Sequence, residues 1–178
     1  MIQGKGLVEL IYDSRTDGIW LGIRLLLLLA VANTAPLLAK RWLGLRFSAP
    51  LDGGLIFFDG RPLLGSSKTI RGLLVAVAAT SLGAVVLSLP ATVGALFGAG
   101  AMLGDAIASF IKRRFGAEPS SRATGLDQIP EALLPLLVVK GLLGVTLVQI
   151  AAITLLFFVL ELPLAWLFHR LGLRDRPY

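Results

Sequence analysis

The sequence predicts an all-α integral membrane protein of about five transmembrane helices. Three observations carry that expectation. Of the 178 residues 56% are hydrophobic, and the mean hydropathy is +0.82, a balance seldom met in soluble domains. Apolar runs long enough to cross a bilayer recur along the chain. Between them, cations gather in two loops and in the tail, as expected of cytoplasmic segments. One membrane domain over 1–178 is the natural organisation, with no room for a second.

Taken in order, Met1 to Gly18 carries Lys5 and Arg15 against Glu9, Asp13 and Asp17 and reads as a short interfacial or re-entrant lead-in. No cleaved signal peptide is expected, because its basic-then-apolar-then-small pattern is missing. Residues 19–39 form the first span, with Arg24 able to snorkel and Asn33 and Pro36 unusual near its far end. Residues 40–71 form the first loop, where Lys40, Arg41, Arg46, Arg61, Lys68 and Arg71 face only Asp52 and Asp59. That excess places the loop in the cytoplasm and the N-terminus outside. Asp52-Gly53-Gly54 and Asp59-Gly60-Arg61-Pro62 read as turns flanking the apolar run 55–58, a hairpin or half-helix. The hydroxyl-rich Gly65-Ser66-Ser67-Lys68-Thr69 suits the N-terminus of the next helix, where backbone N–H groups favour anions.

The second span is 72–89, Pro90 marks a turn, and the Gly/Ala-rich third span, 91–110, permits close helix packing. Residues 111–128 form the second basic loop, on the same side as the first. The run 130–168 is too long for one crossing and suffices for two. A break near Gly141–Gly144 gives spans 129–144 and 146–168 and puts the tail, with Arg170, Arg174 and Arg176, in the cytoplasm. Glu161 within the last span calls for a cation partner. The Gly-rich spans allow a homodimer without requiring one.

Composition removes several chemistries. The chain has no cysteine and one histidine, His169 near the C-terminus, which excludes thiolate catalysis and argues against a histidine metal site or triad. The net charge of +6 belongs in this context to cytoplasmic loops and an anionic ligand or lipid surface, not to nucleic acid.

What remains centres on residues 104–128. On a helix Asp105, Ser109 and Lys112 fall at i, i+4 and i+7 and share one face, with Arg113 beside it. Asp127 follows a short polar loop that can fold back. Two carboxylates with two cations are the equipment for a metal-bound polyphosphate. Each residue also has a plainer explanation. Asp105 and Lys112 could be a structural ion pair, Arg114 a topology signal, Lys68 and Arg71 snorkelling cations, Asp52 and Asp59 turn residues, and Asn33 a packing or capping group. The functional signal is the set: separate loops on one membrane face, each bringing acids and cations.

Gly104-Asp105 followed by Ser109-Phe110-Ile111-Lys112-Arg113-Arg114, then Leu126-Asp127-Gln128, resembles the CDP-archaeol synthase family of archaea, itself related to phosphatidate cytidylyltransferases. The upstream Asp59-Gly60 and Gly65-Ser66-Ser67-Lys68-Thr69-Ile70-Arg71-Gly72 resemble that family's first loop. The match runs from about Asn33 to Gln128. It implies a five-span membrane enzyme, Mg²⁺ dependence, and transfer of CMP from CTP to 2,3-di-O-geranylgeranylglyceryl phosphate, an isoprenoid ether-lipid phosphate. By position it makes Asp105 and Asp127 the metal and nucleotide carboxylates, with Lys112 in the catalytic set. Ser109 and Arg113 would be phosphate ligands, and Lys68, Thr69 and Arg71 would meet CTP or the lipid phosphate. Asn33 and Asp52 are candidates for reading cytosine. One departure stands out: Pro130 occupies the place of a second Asp in the family's Asp-Gln-x-Asp pattern, with Glu131 one residue later, which leaves one metal or two open.

The expected reaction is in-line attack of the lipid phosphate on the α-phosphorus of CTP, at the cytoplasmic face of the cell membrane. No strong general base is required. Two alternatives share the residues: a cytidylyltransferase acting on ester-linked phosphatidate, and, in a different class, a small anion transporter, for which the expected inverted repeat is not seen.

Overall fold

The computed structural model describes residues 7–118, 121 and 123–170, without side chains for 7–16, 162 and 167–169. The readings made on Lys5, Arg174, Arg176 and the His169 side chain therefore lie outside the described residues. Five helices follow one another: α1 (Leu7–Leu43), α2 (Ile70–Val86), α3 (Ala91–Arg114), α4 (Gln128–Leu143) and α5 (Leu147–Arg170). Among the described residues no strand forms. The first loop holds only two isolated bridges, Pro50 with Thr69 and Ile56 with Pro62.

Among the described residues, three segments are long and apolar enough to cross a membrane: Asp17–Leu43, Ala91–Arg114 and Leu147–Trp166. α2, with 17 residues, is apolar but reaches only about 25 Å, short of a hydrocarbon core of about 30 Å. α4 has 16 residues and carries Glu131 and Lys140.

The lead-in expected before residue 19 is not a separate element, because α1 is continuous from Leu7. Nothing between Leu7 and Thr34 lacks a backbone donor, and the single Pro36 sits inside the helix without ending it. α1 also passes residue 39 and stops at Gly44, whose φ of 55° lets its N–H reach the Lys40 carbonyl at 3.0 Å.

The apolar run in the first loop is a tight hairpin and not a half-helix. Phe57 N–H donates to the Arg61 carbonyl at 2.8 Å and Leu63 N–H to the Leu55 carbonyl at 2.8 Å, about the Asp59-Gly60 turn. Between α4 and α5 the chain breaks at Gly144, in the left-handed conformation with φ 66°. α5 then opens with a reciprocal cap: Gln149 N–H donates to Thr146 Oγ1 at 3.2 Å, and Thr146 N–H to Gln149 Oε1 at 2.9 Å.

Phe97 of α3 is fully buried at the centre of the bundle. Leu25, Leu28 and Leu29 of α1, Ala132 and Leu136 of α4, and Ile150 and Phe157 of α5 share its cluster. α3 is the hub because glycine removes bulk from two of its faces. A Cβ on Gly98 would overlap Thr80 Oγ1 and sit 3.0 Å from the Ala76 carbonyl of α2. A Cβ on Gly104 would overlap the Pro130 carbonyl and sit 2.8 Å from the Glu131 Cα of α4. Such close backbone approach replaces the hydrophobic drive that lipid cannot supply between helices.

Candidate active site

The loop-side ends of α1 and α3, the start of α2 and the start of α4 meet around a cavity of about 630 Å³. Its floor comes from α3. The 3.6-residue period places Asp105, Ser109, Lys112 and Arg113 along its wall. Ser109, Lys112 and Arg113 are all buried. The first loop adds Lys68 and the second adds Asp127.

The pairing between these elements differs from the simplest expectation. Asp105 does not pair with Lys112, which sits two helical turns away on the same helix. Its Oδ2 lies 2.5 Å from Lys68 Nζ. Lys112 Nζ instead reaches Asp127 Oδ1 at 2.6 Å and donates to the Ser121 carbonyl at 2.8 Å. The second loop thus folds back onto α3, held further by Asp127 Oδ2, which accepts the Ala123 N–H at 2.8 Å. Gln128, also buried, accepts the Gly125 N–H at 2.7 Å.

Arg113 is 3% exposed. Its Nη2 donates to the Glu118 carbonyl at 2.7 Å, while Nε and Nη1 are buried without a hydrogen-bond partner. A guanidinium with two unpartnered nitrogens on the wall of a cavity is costly unless an anionic ligand meets it.

Three candidates turn out to do structural work. Arg71 lines the cavity, yet its Nη1 donates to the carbonyls of Gly44 at 2.9 Å and Arg46 at 2.5 Å, closing the first loop on the end of α1. It does not share a helix face with Lys68, which precedes the helix. Thr69 is the N-cap of α2, its Oγ1 accepting the Gly72 N–H at 3.1 Å. Asp52 does not line the cavity. Its carboxylate accepts the N–H groups of Leu64 at 2.8 Å, Gly65 at 3.3 Å and Gly54 at 3.0 Å. Burial pushes that carboxyl up, but the three backbone donors outweigh it and hold the group below the ordinary carboxylate range. Asn33 lines the cavity and donates to the Leu29 carbonyl of its own helix at 3.5 Å, not across to a neighbour.

The matched region is broad. Residues 19–178 fit the family model described as CarS-like, CDP-archaeol synthase. The chain belongs to the CDP-archaeol synthase family. The CDP-archaeol synthase of Aeropyrum pernix is 37% identical over 182 residues, spanning 96% of this chain and 99% of that one. That of Sulfurisphaera tokodaii is 35% identical over 137 residues, spanning 72% and 81%. A solved structure, described as an intramembrane enzyme for archaeal membrane lipids biosynthesis, superposes with a TM-score of 0.69 at 34% identity over 79% of this chain and 90% of that chain.

Within this CDP-archaeol synthase fold, one arrangement was only half legible in the sequence and one escaped it. Glu131, displaced by one residue from the expected acid, is buried and lines the same cavity as Asp105 and Asp127. The close approach of Gly104 to the Pro130–Glu131 backbone brings it there. The second is a clamp at the end of α3. Arg114 pairs with Asp59 and donates to the Pro62 carbonyl at 2.5 Å, its guanidinium 4.6 Å from the Phe57 ring centroid and 5.0 Å from that of Phe110. Arg61 donates back to the Arg114 carbonyl. Arg114 is therefore more than a topology signal and Asp59 more than a turn residue. Only the repeated pairing of Asp and Arg in both loops foreshadowed it.

Proposed function

We propose that the chain transfers CMP from CTP to the phosphate of an isoprenoid ether lipid, forming CDP-archaeol and pyrophosphate. One observation carries this reading beside the family membership: Lys68, Asp105, Lys112, Arg113 and Asp127, from three separate segments, converge on one cavity of nucleotide size. A lipid phosphate oxygen attacks the α-phosphorus of CTP, a new P–O bond forms, and the bond to the bridging oxygen of pyrophosphate breaks. The attacking phosphate has a second pKa of about 6 and is largely ionised at neutral pH, so the absence of a central histidine or cysteine is no obstacle.

The residues then act by positioning and charge. The two unpartnered nitrogens of Arg113 donate to phosphate oxygens. Lys68 and Lys112 exchange their carboxylate partners for triphosphate oxygens as the nucleotide enters. Ser109, between Asp105 and Lys112 on α3, offers a hydroxyl to the same group. Arg71 and Thr69 hold the loop that presents Lys68, and Asn33 borders the side of the cavity formed by α1.

The donor set suits a hard divalent cation. Among the described residues no three acids meet at one point, but Mg²⁺ characteristically takes one or two carboxylates together with substrate phosphates. Asp105 and Asp127, with Glu131 near, would hold it, and when bound it would neutralise charge on the triphosphate. The excess of cations in both loops supports a site that faces the cytoplasm.

Purified protein given labelled CTP, Mg²⁺ and the ether-lipid phosphate should yield labelled CDP-lipid, lost on chelation and not competed by ATP or GTP. No product in folded protein, with this lipid or with phosphatidate, would overturn the reading. Preference for phosphatidate would move it to ester lipids.

A further inference from the structure

The hairpin of the first loop is too apolar for a segment standing in water. Leu55 and Ile56 are more than half exposed and Phe58 is fully exposed. A contiguous apolar tip of this kind marks a surface that another phase or molecule covers. Backbone alternation sorts the residues: Phe57 turns inward while Ile56 and Phe58 turn out.

The inward contact fixes where the tip sits. Phe57 packs edge-on against Phe110 of α3, with ring centroids 5.4 Å apart, and against Phe58 at 5.1 Å. Phe110 belongs to the last apolar turn of a membrane-crossing helix, before Lys112, Arg113 and Arg114. The hairpin tip is thus anchored, through Phe57, beside the last apolar turn of α3. Phe115, beside Arg114, is also largely exposed, as are Trp42 and Phe47 at the loop-side end of α1. Aromatic rings alternating with arginine at one end of a helix bundle are the composition of a membrane–water interface. The arginines here, Arg61 and Arg114, are spent on holding the hairpin to α3.

We propose that the hairpin Leu55–Pro62 is seated in the bilayer, with Ile56 and Phe58 among the lipid chains near the headgroups. The loop that presents Lys68 is then fastened on two sides: to α3 through Arg114, and to lipid through Phe58. The occupant is lipid because the patch continues the lipid-facing surface of α3. This inference rests on α3 crossing the membrane and not on the proposed reaction.

The chain contains no cysteine, so single labels are clean. Nitroxides would be placed by Phe58→Cys and, separately, Ile56→Cys in vesicles of phosphatidylglycerol. Leu103→Cys on the lipid face of α3 and Thr124→Cys in the second loop are the references, both exposed in the fold. Collision rates with dissolved oxygen and with a water-soluble nickel chelate would be compared. The oxygen-to-nickel ratio at 58 and at 56 should lie several-fold above that at 124 and approach that at 103. A ratio at both sites equal to that at 124 would overturn the proposal. So would loss of both collision rates together with dipolar broadening between labels, which would put a second copy of the chain on the hairpin.

Discussion

Lys68 Nζ lies 2.5 Å from Asp105 Oδ2, joining the loop ahead of α2 to the membrane-crossing helix α3. Both side chains are largely sheltered, at 19% and 24% exposure. Lys112 and Asp127 form the same kind of pair a few residues along. Each carboxylate suited to a cation is thereby covered by an ammonium from another part of the site.

If these carboxylates hold the cation as proposed, metal binding should depend on nucleotide. A cation arriving alone must displace Lys68, whereas a triphosphate gives the lysine somewhere to go. Lys68→Met should tighten Mn²⁺ binding in the absence of CTP by roughly tenfold, the equivalent of about 1.4 kcal/mol, while slowing transfer. Titration of Mn²⁺ alone, followed by electron paramagnetic resonance, reads this directly. Unchanged affinity would mean the pair does not guard the carboxylate.

Helix contact at the site can be tested through glycine. Gly104→Ala would drive a methyl group into the Pro130 carbonyl and Glu131. It should destabilise the protein by about 1–3 kcal/mol and reduce transfer, because Asp105 and Glu131, on the two helices joined there, line the same cavity. Gly141→Ala, in α4 with nothing within 4 Å, should be neutral or stabilise by up to about 1 kcal/mol. Thermal unfolding of both variants in one detergent makes the comparison. An equal response at the two positions would contradict the packing.

Asp52 should matter to the fold through pH. Its carboxyl is held below the ordinary range in the folded state. Its stabilising contribution is therefore complete above the ordinary carboxylate pKa and is lost as pH falls through the lower folded value. Asp52→Asn should lower the unfolding midpoint at pH 7, by the equivalent of roughly 1 kcal/mol for weakened hydrogen bonds. The gap from the parent should close in strong acid. A gap that does not change with pH would assign the effect to something other than ionisation.

The clamp at the end of α3 gives a fourth expectation. Arg114→Ala removes the Asp59 pair, the Pro62 hydrogen bond and two ring contacts at once. The first loop should become more open to limited proteolysis near residues 55–63, and transfer should fall with it. Unaltered proteolysis would show that the hairpin is held by other contacts.

These particulars show where the sequence was readable. Hydropathy set out the helices because lipid burial demands apolar length, and it erred where a helix continues into polar residues, as α1 does from Leu7 to Asp17. Helical period brought Asp105, Ser109, Lys112 and Arg113 to one wall because that relation is local. The partners were not legible. Lys68 is 37 residues from Asp105, and no period encodes such a pairing. Arg71 and Thr69 looked like ligands because cations and hydroxyls near a helix start serve anions and backbone alike. Only the positions of the Gly44 and Arg46 carbonyls and the Gly72 amide give them structural tasks. Glu131 was visible as a replacement acid, but its arrival in the cavity needed the glycine-thinned contact between α3 and α4.

The most direct measurement is transfer of labelled CMP to the ether-lipid phosphate by Asp105→Asn and Asp127→Asn beside the parent protein, at saturating CTP and Mg²⁺. Each substitution keeps the shape and removes the charge. A fall of about 10²–10³-fold for each, roughly 3–4 kcal/mol in the barrier, in variants that remain folded, is the expected result. Near-parental rates with unchanged Mg²⁺ dependence in both would contradict the assignment of these carboxylates to the reaction.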